Sequence, residues 1–250
     1  MKNKIDVPSR GWGAMIFAAG LGTRFKPWTD KHPKALAIVN GKPLLQHTIE
    51  YLQQHGKREV VVNVHHFADQ VITAIKKNNG WGSEIIISNE EDEVLETGGG
   101  LLKAKDLLKG QRFITINVDI LTDLNIDKFI NHHLQTNSFI SLAIAERKTS
   151  RFLLFNENNR LCGWRNIKED KSIEKITMPA PSYVQKAYSG VAIFEPAIFD
   201  HITMTGKFSV IDVYLQLAQA KIISGYDHTG DKWIDVGRQE NVSMAEKLFP

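Results

Sequence analysis

Cysteine is nearly absent from this sequence, in which Cys162 is the single one among 250 residues. One thiol can form neither an internal disulfide nor a zinc site made of several thiolates. Long apolar runs are also absent, because stretches such as residues 14–19 and 190–194 are far shorter than the roughly 20 residues that cross a bilayer. The first ten residues are polar and basic and lack the apolar core of a secretory signal. We therefore expect no membrane span and a cytoplasmic protein.

A strong charge of one sign is missing as well. The formal net charge is +3, and the Lys and Arg residues are interspersed with Asp and Glu. This pattern does not mark a nucleic-acid surface, whereas a small anionic substrate needs only a local positive site. With 42% hydrophobic and 24% charged residues, the composition is that of an ordinary globular domain.

Short apolar strand patterns alternate with amphipathic helix patterns from residue 13 to residue 145. A helix after Asn40-Gly41, for example, has a predicted apolar face, and another helix is predicted from 100 to 109. Continuous apolar strands separated by helices predict an α/β fold, Rossmann-like, with a mainly parallel mixed sheet flanked by helices. Ligands are then expected beyond the carboxyl ends of the strands. The apolar face of the first helix is predicted to consist of Leu44, Leu45, Thr48, Ile49 and Leu52.

The pattern changes after residue 146. Two apolar segments flank residues 156–159, which indicates a β-hairpin, and residues 166–186 are polar and without periodicity. We predict a polar tail at 1–12 and a single domain at 13–250, in which a small β-rich insertion at 147–187 forms one wall of a substrate pocket.

A glycine-rich loop follows the first predicted strand: Gly20 and Gly22 are followed by Thr23 and Arg24, and Lys34 comes ten residues later. Glycines let backbone N–H groups approach a polyphosphate, and the two cations can neutralise charge on a phosphoryl group under attack. From the residues alone, an ordinary tight turn with exposed cations is an equal alternative. The dinucleotide fingerprint fails because its third glycine is replaced by a phenylalanine, and no Walker motif exists.

Two aspartates end predicted strands: Asp119 follows Asn117-Val118, and Asp235 lies in a late Trp-Ile-Asp-Val-Gly segment. Carboxyl ends of parallel strands meet at one edge of a sheet, so both acids can reach one site. Mg²⁺ takes one or two protein carboxylates and completes its shell with water and phosphate oxygens. Taken singly, each aspartate is better explained by hydrogen bonds to its own turn, and the metal interpretation depends on the two acids occurring together with the glycine-rich loop.

A further glycine run, Glu96-Thr97-Gly98-Gly99-Gly100, precedes the helix predicted from 100 to 109. Its bare backbone can lie against a nucleobase, although a helix start capped by the threonine is the simpler explanation. The histidine pairs at 65–66 and 132–133 have no metal-binding spacing, and we interpret them as structural or exposed. His65 and Asn63 nevertheless lie at a strand end, where a substrate contact is conceivable.

Residues 17–27 (FAAGLGTRFKP), followed by residues 32–36 (HPKAL), resemble the signature of the sugar-1-phosphate nucleotidyltransferases. The resemblance implies that the loop, with Ala19, Gly20, Gly22 and Thr23, wraps the triphosphate. It also implies that Arg24 and Lys34 stabilise charge on the α-phosphate. Further roles implied by the family are base recognition by Glu96, Thr97 and Gly98, substrate contacts by Asn117 and Gly190, and Mg²⁺ coordination by Asp119 and Asp235.

The Glu-Thr-Gly-Gly-Gly and Trp-Ile-Asp-Val-Gly segments look most like N-acetylmuramate-1-phosphate uridylyltransferases and their heptose-1-phosphate guanylyltransferase relatives. Residues 147–187 match poorly and lack the Glu-Lys-Pro of many hexose-specific members. The implied reaction forms an NDP-sugar and pyrophosphate, with UTP and N-acetylmuramate 1-phosphate as the preferred substrates. GTP with heptose or mannose 1-phosphate is the alternative. A nucleotide-sugar sensor without activity is a rival of another class, and a nicotinamide oxidoreductase lacks its glycine fingerprint.

Overall fold

The structure is a computed structural model that describes residues 11–90, 93–168 and 171–250. Most of the predicted polar tail therefore lies outside the described residues, and Trp12, which was assigned to that tail, instead opens the first strand. Within the described part of the chain, no helix combines the length and the apolarity needed to span a bilayer. Cys162 is buried and free.

The strands and helices alternate in the first half and are mainly strands in the second. The strands are β1 (Trp12–Phe17), β2 (Ile38–Val39), β3 (Lys42–Pro43), β4 (Glu59–Val64), β5 (Glu84–Asn89), β6 (Arg112–Asn117), β7 (Ile120–Thr122), β8 (Ile140–Ala145), β9 (Arg151–Phe155), β10 (Leu161–Lys168), β11 (Lys171–Ile176), β12 (Val184–Phe194), β13 (Ile223–Asp227) and β14 (Trp233–Asp235). The helices are α1 (Leu44–Gln54), α2 (Ala68–Lys77), α3 (Glu96–Lys103), α4 (Lys105–Leu108), α5 (Ile126–Gln135), α6 (Val210–Leu217) and α7 (Val242–Leu248).

One large twisted sheet organises the domain, with the order β11-β10-β9-β12-β6-β1-β4-β5 and with β8 and β13 joined through β12. The strands β6, β1, β4 and β5 run parallel to one another, as do β8 and β13. In contrast, β12 is antiparallel to β6, β8 and β9. The predicted α/β fold with a mainly parallel mixed sheet between helices is confirmed.

Both faces of the parallel region are buried, which explains its uninterrupted apolar strands. Successive side chains of a strand point to opposite faces. In β1, Ala14 and Ile16 accordingly belong to one hydrophobic cluster, whereas Met15 and Phe17 belong to the other. The sheet thus separates two cores, and its carboxyl edge is open for a site.

Helix α1 buries the five residues of the apolar face that its sequence predicts. The helix predicted from 100 to 109 is placed differently, because α3 already begins at Glu96 and α4 follows after a break at Ala104. Glycines are poor helix formers, so the run at 98–100 did not indicate a helix. Its tight packing, described below, overrides that propensity.

The segment from 147 to 187 is more regular than predicted. The hairpin of β9 and β10 is present, but β10 continues to Lys168, β11 pairs with it, and β12 begins at Val184. The prediction that 166–186 is irregular is therefore wrong. Strand β11 and the first residues of β12 are exposed and mostly polar, so they show no apolar run that periodicity could detect.

Candidate active site

The carboxyl ends of β1, β4 and β6 meet at one edge of the sheet. Phe17, the last residue of β1, is in register with Asn63 on β4 and with Asn117 on β6. The N–H of Ala18 donates to Asn63 Oδ1 at 2.7 Å, and the N–H of Val118 donates to the Phe17 carbonyl at 3.1 Å. The glycine-rich loop therefore leaves the sheet from a point held by both neighbouring strands.

The protein itself sets the shape of this loop. Gly22 has a φ of 59°, and a Cβ there would lie 2.8 Å from Thr29 Cγ2. The Gly22 carbonyl accepts from Thr29 Oγ1 at 2.9 Å and from the Phe25 N–H at 2.8 Å. Both the backbone conformation and the close approach therefore require glycine at this position. Residues 21–34 contain only short 3-10 turns, as expected for a functional loop.

Lys34 and Asp119 form a close ion pair at the base of the loop, and both side chains are nearly buried. Lys34 begins a 3-10 turn that follows the loop, and Asp119 lies between β6 and β7. Contacts in which both partners are charged and shielded from water are stronger than neutral hydrogen bonds. The pair ties the lysine predicted to act on phosphate to the aspartate predicted to hold a metal.

A two-stranded ladder of β7 and β14, separate from the large sheet, brings the two aspartates together. Asp235 is in register with Ile120, the residue after Asp119, and the Val236 N–H donates to the Asp119 carbonyl at 2.8 Å. Asn241 Nδ2 donates to the Asp235 carbonyl at 2.7 Å and fixes the far side of β14. The predicted convergence of the two acids is thus present, although the sequence did not indicate this ladder.

Asp235 has the electrostatic surroundings of a cation ligand. Burial, together with the nearby charge of Asp119, raises the pKa of the Asp235 carboxyl, while Lys34 and Arg24 act in the opposite direction. Its Oδ1 is buried and has no hydrogen-bond partner among the described residues. Arg24 Nη2 lies 3.9 Å from Oδ2. The negative charges of Asp119 and Asp235 thus disfavour each other, and one buried oxygen, Asp235 Oδ1, accepts no hydrogen bond from the described residues. A bound cation would relieve both.

Two carboxylates suit a hard divalent cation that keeps water and phosphate oxygens in its shell, as Mg²⁺ does. Within the described ranges, no group of three or more His, Cys, Asp or Glu residues is arranged to hold a metal ion. A site made entirely of protein ligands is therefore not offered by that part of the chain.

A cavity of about 380 Å³, called the loop cavity below, opens beside the glycine-rich loop. Most of the predicted substrate residues line it, and the sequence missed Val94 and Lys207. The lining residues are Phe17, Ala19, Gly20, Leu21, Gly22, Thr23, Asn63, Val94, Glu96, Thr97 and Lys207.

A smaller cavity of about 160 Å³ shares Phe17, Gly20 and Thr97 with the loop cavity and extends to the ion pair. It adds Lys34 and Asp119, together with Asn117. The structure therefore brings the loop, the base-side threonine and the charged centre into one continuous region. Four predicted residues line neither cavity: Arg24, Gly98, Gly190 and Asp235.

The glycines of α3 serve packing. The N–H groups of Gly98 and Gly99 both donate to the Phe208 carbonyl, at 2.9 and 3.2 Å, and a Cβ on Gly98 would overlap the Phe208 ring. The N–H groups of these two glycines are therefore used within the protein, and contact of Gly98 with a base stays a prediction. Instead, Glu96 and Thr97 form the cavity wall. Glu96 adopts the left-handed conformation with φ 58°, and Lys207 Nζ lies 3.9 Å from its carboxylate.

A buried carboxylate, Glu90, links the loop to α3. Asn63, whose Oδ1 holds the Ala18 N–H, donates through Nδ2 to Glu90 Oε1 at 2.6 Å, and the Leu95 N–H donates to Oε2 at 3.4 Å. Burial raises the pKa of Glu90. A Cβ on Gly100 would lie 2.5 Å from Glu90 Oε1, so the helix approaches this carboxylate as closely as a glycine allows. The sequence indicated Asn63 only faintly and Glu90 not at all.

Gly190 interrupts β12 at the opposite side of the site. Its φ is 79°, it lies in an irregularity of the pairing with β8, and a Cβ there would lie 3.1 Å from Asn117 Nδ2. Gly190 therefore gives room to Asn117. Two neighbours that the sequence did not single out are Arg147 and Trp233: the Arg147 guanidinium carbon lies over the Trp233 ring, 3.9 Å from its centroid.

The histidine pairs make contacts within the protein. His65 Nδ1 lies 2.6 Å from the Glu90 carbonyl, and His66 Nε2 lies 3.1 Å from the Thr29 carbonyl. His133 is buried between Ser141 and Glu195, and His132 Nε2 lies 3.3 Å from Ser224 Oγ. These contacts agree with a structural interpretation.

A mainly parallel α/β sheet whose carboxyl edge carries a glycine-rich loop, a lysine and a carboxylate pair defines an enzyme class that handles nucleotide phosphates. The nucleotidyl transferase family model matches residues 13–248, and the chain belongs to this family. An N-acetylmuramate alpha-1-phosphate uridylyltransferase of Caulobacter vibrioides is 43% identical over 240 residues, covering 93% of this chain and 95% of that protein. The enzyme of the same name from Neisseria meningitidis serogroup B is 32% identical over 237 residues, covering 94% and 97%.

Among solved structures, HddC from Yersinia pseudotuberculosis complexed with GMP-PN has a TM-score of 0.73 at 24% identity, covering 96% of this chain and all of that one. That likeness concerns the fold. The family match and the two relatives confirm the resemblance to the sugar-1-phosphate nucleotidyltransferases that the glycine-rich motif predicted.

Proposed function

We propose that this protein transfers a nucleotidyl group from UTP to N-acetylmuramate 1-phosphate, releasing pyrophosphate and forming the nucleotide-sugar. The observation that carries the proposal is the Lys34–Asp119 pair with Asp235 beside it, next to the loop cavity. The identity to the two uridylyltransferases supports the choice of substrates. A cytoplasmic location remains a prediction.

In the proposed reaction, an oxygen of the sugar 1-phosphate attacks the α-phosphorus of the triphosphate. A new P–O bond forms as the bond to the β-phosphate oxygen breaks, and pyrophosphate leaves with that electron pair. The attacking phosphate monoester is already ionised near neutral pH, so no general base is required. The task of the protein is to align the two substrates and to neutralise charge.

The roles follow from the geometry. The loop of Gly20, Gly22 and Thr23 lines the cavity proposed for the triphosphate, and Lys34 lies where it can donate to the α-phosphate. Arg24 is exposed and 3.9 Å from Asp235, so it can turn toward a bound phosphate. Asp119 and Asp235 are the proposed ligands of Mg²⁺, which when bound supplies positive charge to the phosphate oxygens.

Guanosine is the second candidate base, and Glu96 is the observation that favours it. A carboxylate at the wall of the loop cavity can accept from both N–H groups on the edge of guanine, whereas uracil offers a single ring N–H. Lys207, beside it, can donate to a base carbonyl. GTP with heptose or mannose 1-phosphate therefore remains the alternative pair.

The test is pyrophosphate release, with and without Mg²⁺, from UTP, GTP, CTP, ATP and dTTP against N-acetylmuramate, heptose, glucose and mannose 1-phosphates. Asp119→Ala is the control for background release. We expect release with UTP and N-acetylmuramate 1-phosphate that needs Mg²⁺ and is lost in the variant. Release with GTP alone would favour the second candidate. Nucleotide binding without release from any pair would contradict catalysis and favour a sensor.

A further inference from the structure

Arg147 is held in place by two elements of the site. It lies two residues beyond the end of β8, with its guanidinium carbon 3.9 Å from the centroid of the Trp233 ring. Its Nη2 donates to the Tyr188 carbonyl at 2.6 Å. Trp233 opens β14, the strand that ends at Asp235, and its Nε1 donates to the Ser189 carbonyl at 2.9 Å. The guanidinium is thus fixed between the strand of Asp235 and the strand that contains Gly190.

The charge of Arg147 is uncompensated at short range. Its Nε is buried without a hydrogen-bond partner, and in the described part of the chain no carboxylate oxygen lies within ion-pair distance of the guanidinium. Asp235 acts on it only through space. Two other shielded cations near the sheet are paired with carboxylates: Lys34 with Asp119, and Lys186 with Glu146 and Asp227, which both lie 2.7 Å from its Nζ.

A half-buried cation without a counter-charge is unfavourable unless an anion arrives to pair with it. A guanidinium stacked on an indole is preorganised to form two parallel hydrogen bonds with a carboxylate or a phosphate. Arg147 does not line the loop cavity, which is proposed for the nucleotide. Its place beside β12 and β14, close to Asp235 and outside that cavity, points to the other substrate, the sugar 1-phosphate.

We propose that Arg147 binds an anionic group of the sugar 1-phosphate acceptor. This inference rests on the proposed function. An oxyanion of this kind has two sources: the 1-phosphate, which every acceptor carries, or a carboxylate on the sugar, which only acidic sugars carry. Arginine can form two parallel hydrogen bonds with either group. If the group is the phosphate, binding of every acceptor depends on Arg147; if it is the carboxylate, only binding of acidic sugars does.

The experiment compares the full-length wild type with Arg147→Gln and Arg147→Lys. The acceptors are N-acetylmuramate 1-phosphate and N-acetylglucosamine 1-phosphate, which differ by the lactyl carboxylate. Steady-state pyrophosphate release with UTP gives KM and kcat, and calorimetry gives the Kd of each acceptor whether or not it is turned over. Thermal unfolding and the Kd for UTP report on general damage to the fold.

We expect Arg147→Gln to raise the acceptor KM and Kd about 10- to 100-fold, as loss of a charged hydrogen bond implies, without changing the Kd for UTP. Arg147→Lys keeps the charge and should lose less. A loss restricted to N-acetylmuramate 1-phosphate identifies the carboxylate, and an equal loss for both acceptors identifies the phosphate.

Two results would overturn the inference. One is an unchanged acceptor KM and Kd in Arg147→Gln. The other is a lower unfolding temperature with equal losses for UTP and acceptor in both variants, which is the outcome for an arginine that only joins β12 to β14. In either case wild-type turnover leaves the proposed function standing. If the wild type itself neither binds nor turns over a sugar 1-phosphate, the proposed function fails, and the role of Arg147 fails with it.

Discussion

The two sides of the site differ in how their buried polar groups are paired. On the loop side, Asn63 and Glu90 satisfy each other and hold the backbone at Ala18 and Leu95. On the side of β12 and β14, Arg147 Nε and Asp235 Oδ1 are both buried without partners among the described residues. The buried polar groups of Asn63 and Glu90 on the first side are therefore satisfied within the protein. On the second side, Arg147 Nε and Asp235 Oδ1 would be satisfied only by bound ligands.

This difference assigns separate tasks to the two sides. A loop whose conformation is already fixed loses little freedom when a nucleotide binds, so its contacts contribute fully to affinity. On the other side, the buried atoms Arg147 Nε and Asp235 Oδ1 lack hydrogen-bond partners, which is unfavourable in the free protein, and the proposed cation and anionic acceptor would relieve that cost. We therefore expect changes on the second side to affect turnover and acceptor selection more than nucleotide affinity.

The largest expected effect tests that separation at the carboxylate pair. Asp119→Ala, Asp235→Ala and Lys34→Ala should each lower turnover roughly 100- to 1,000-fold, because each removes charge that acts on the reacting phosphates. The variants should remain folded and still bind the nucleotide base. Turnover and calorimetric nucleotide binding are measured side by side, with Asp127→Asn on α5 as a control for a distant acid. Near-normal turnover in any one variant would remove that residue from the mechanism.

A second prediction concerns a buried polar group that lies away from the open edge of the sheet. Behind β8, His133 contacts Ser141 and Glu195, and burial lowers its pKa to about 4. The unfolded chain binds this proton near pH 6.5, so the stability contribution is complete above that pH. It is lost as the pH falls toward 4, by roughly 3 kcal/mol.

Urea unfolding at pH 7 and pH 4.5 checks this for the wild type and for His133→Gln, with the exposed His32→Gln as the control. The pH-dependent difference should shrink in His133→Gln and persist in the control. The same slope in all three proteins would contradict a neutral buried His133.

A third prediction tests how tightly Gly100 packs against Glu90 and Asn63 on the loop side. Gly100→Ala would bring a methyl group to 2.5 Å from Glu90 Oε1 and 2.8 Å from Asn63 Nδ2. Such overpacking costs about 1–3 kcal/mol of unfolding free energy, and the displaced Asn63 should also weaken UTP binding. Gly20→Ala is the stability control, because a Cβ there meets nothing within 4 Å. Equal unfolding free energies for the two variants would show that the packing at Gly100 is looser than the structure indicates.

The smallest effect concerns the charge of Glu90. Burial raises its pKa above the ordinary value of 4.5, so the folded state holds the proton more tightly than the unfolded chain does. Wild-type stability should therefore rise as the pH falls through the raised pKa, whereas Glu90→Gln should lack this dependence. The amide oxygen can still accept from Asn63, so the Kd for UTP should change only a few-fold. Unfolding curves measured across pH test this dependence, with the exposed Glu84→Gln as the control. The same pH dependence in the wild type and in Glu90→Gln would contradict the prediction.

Much of the fold was predictable because its parallel region is regular. The apolar face of α1 and the strands around Asp119 follow directly from hydrophobic periodicity. The loop motif predicted several residues that line the loop cavity, because residues adjacent on one loop lie next to each other in the structure. Strand β11 and the start of β12 escaped prediction because exposed antiparallel strands need no apolar run.

The remainder of the site depends on contacts between residues distant in sequence. Lys207 reaches the loop cavity only because the Phe208 carbonyl docks onto α3, and Arg147 reaches Trp233 only because β8 and β14 converge. Neither residue belongs to a motif, and no local pattern distinguishes it from a solvent-exposed cation. The sequence likewise gives no sign that Glu90 is buried and contacts Asn63, because both properties arise only in the folded structure.

The ladder of β7 and β14 joins two parts of the site that are synthesised at different times. The Thr122 hydroxyl bonds to the Lys232 carbonyl across 110 residues of sequence, and Asp119 meets Asp235 only once that contact exists. A growing chain can form the parallel strands β1, β4 and β6 long before the ribosome reaches Trp233. Nascent chains that have emerged only as far as α6 thus carry the glycine-rich loop but lack Asp235, the second carboxylate of the proposed metal site, and we expect them to be inactive.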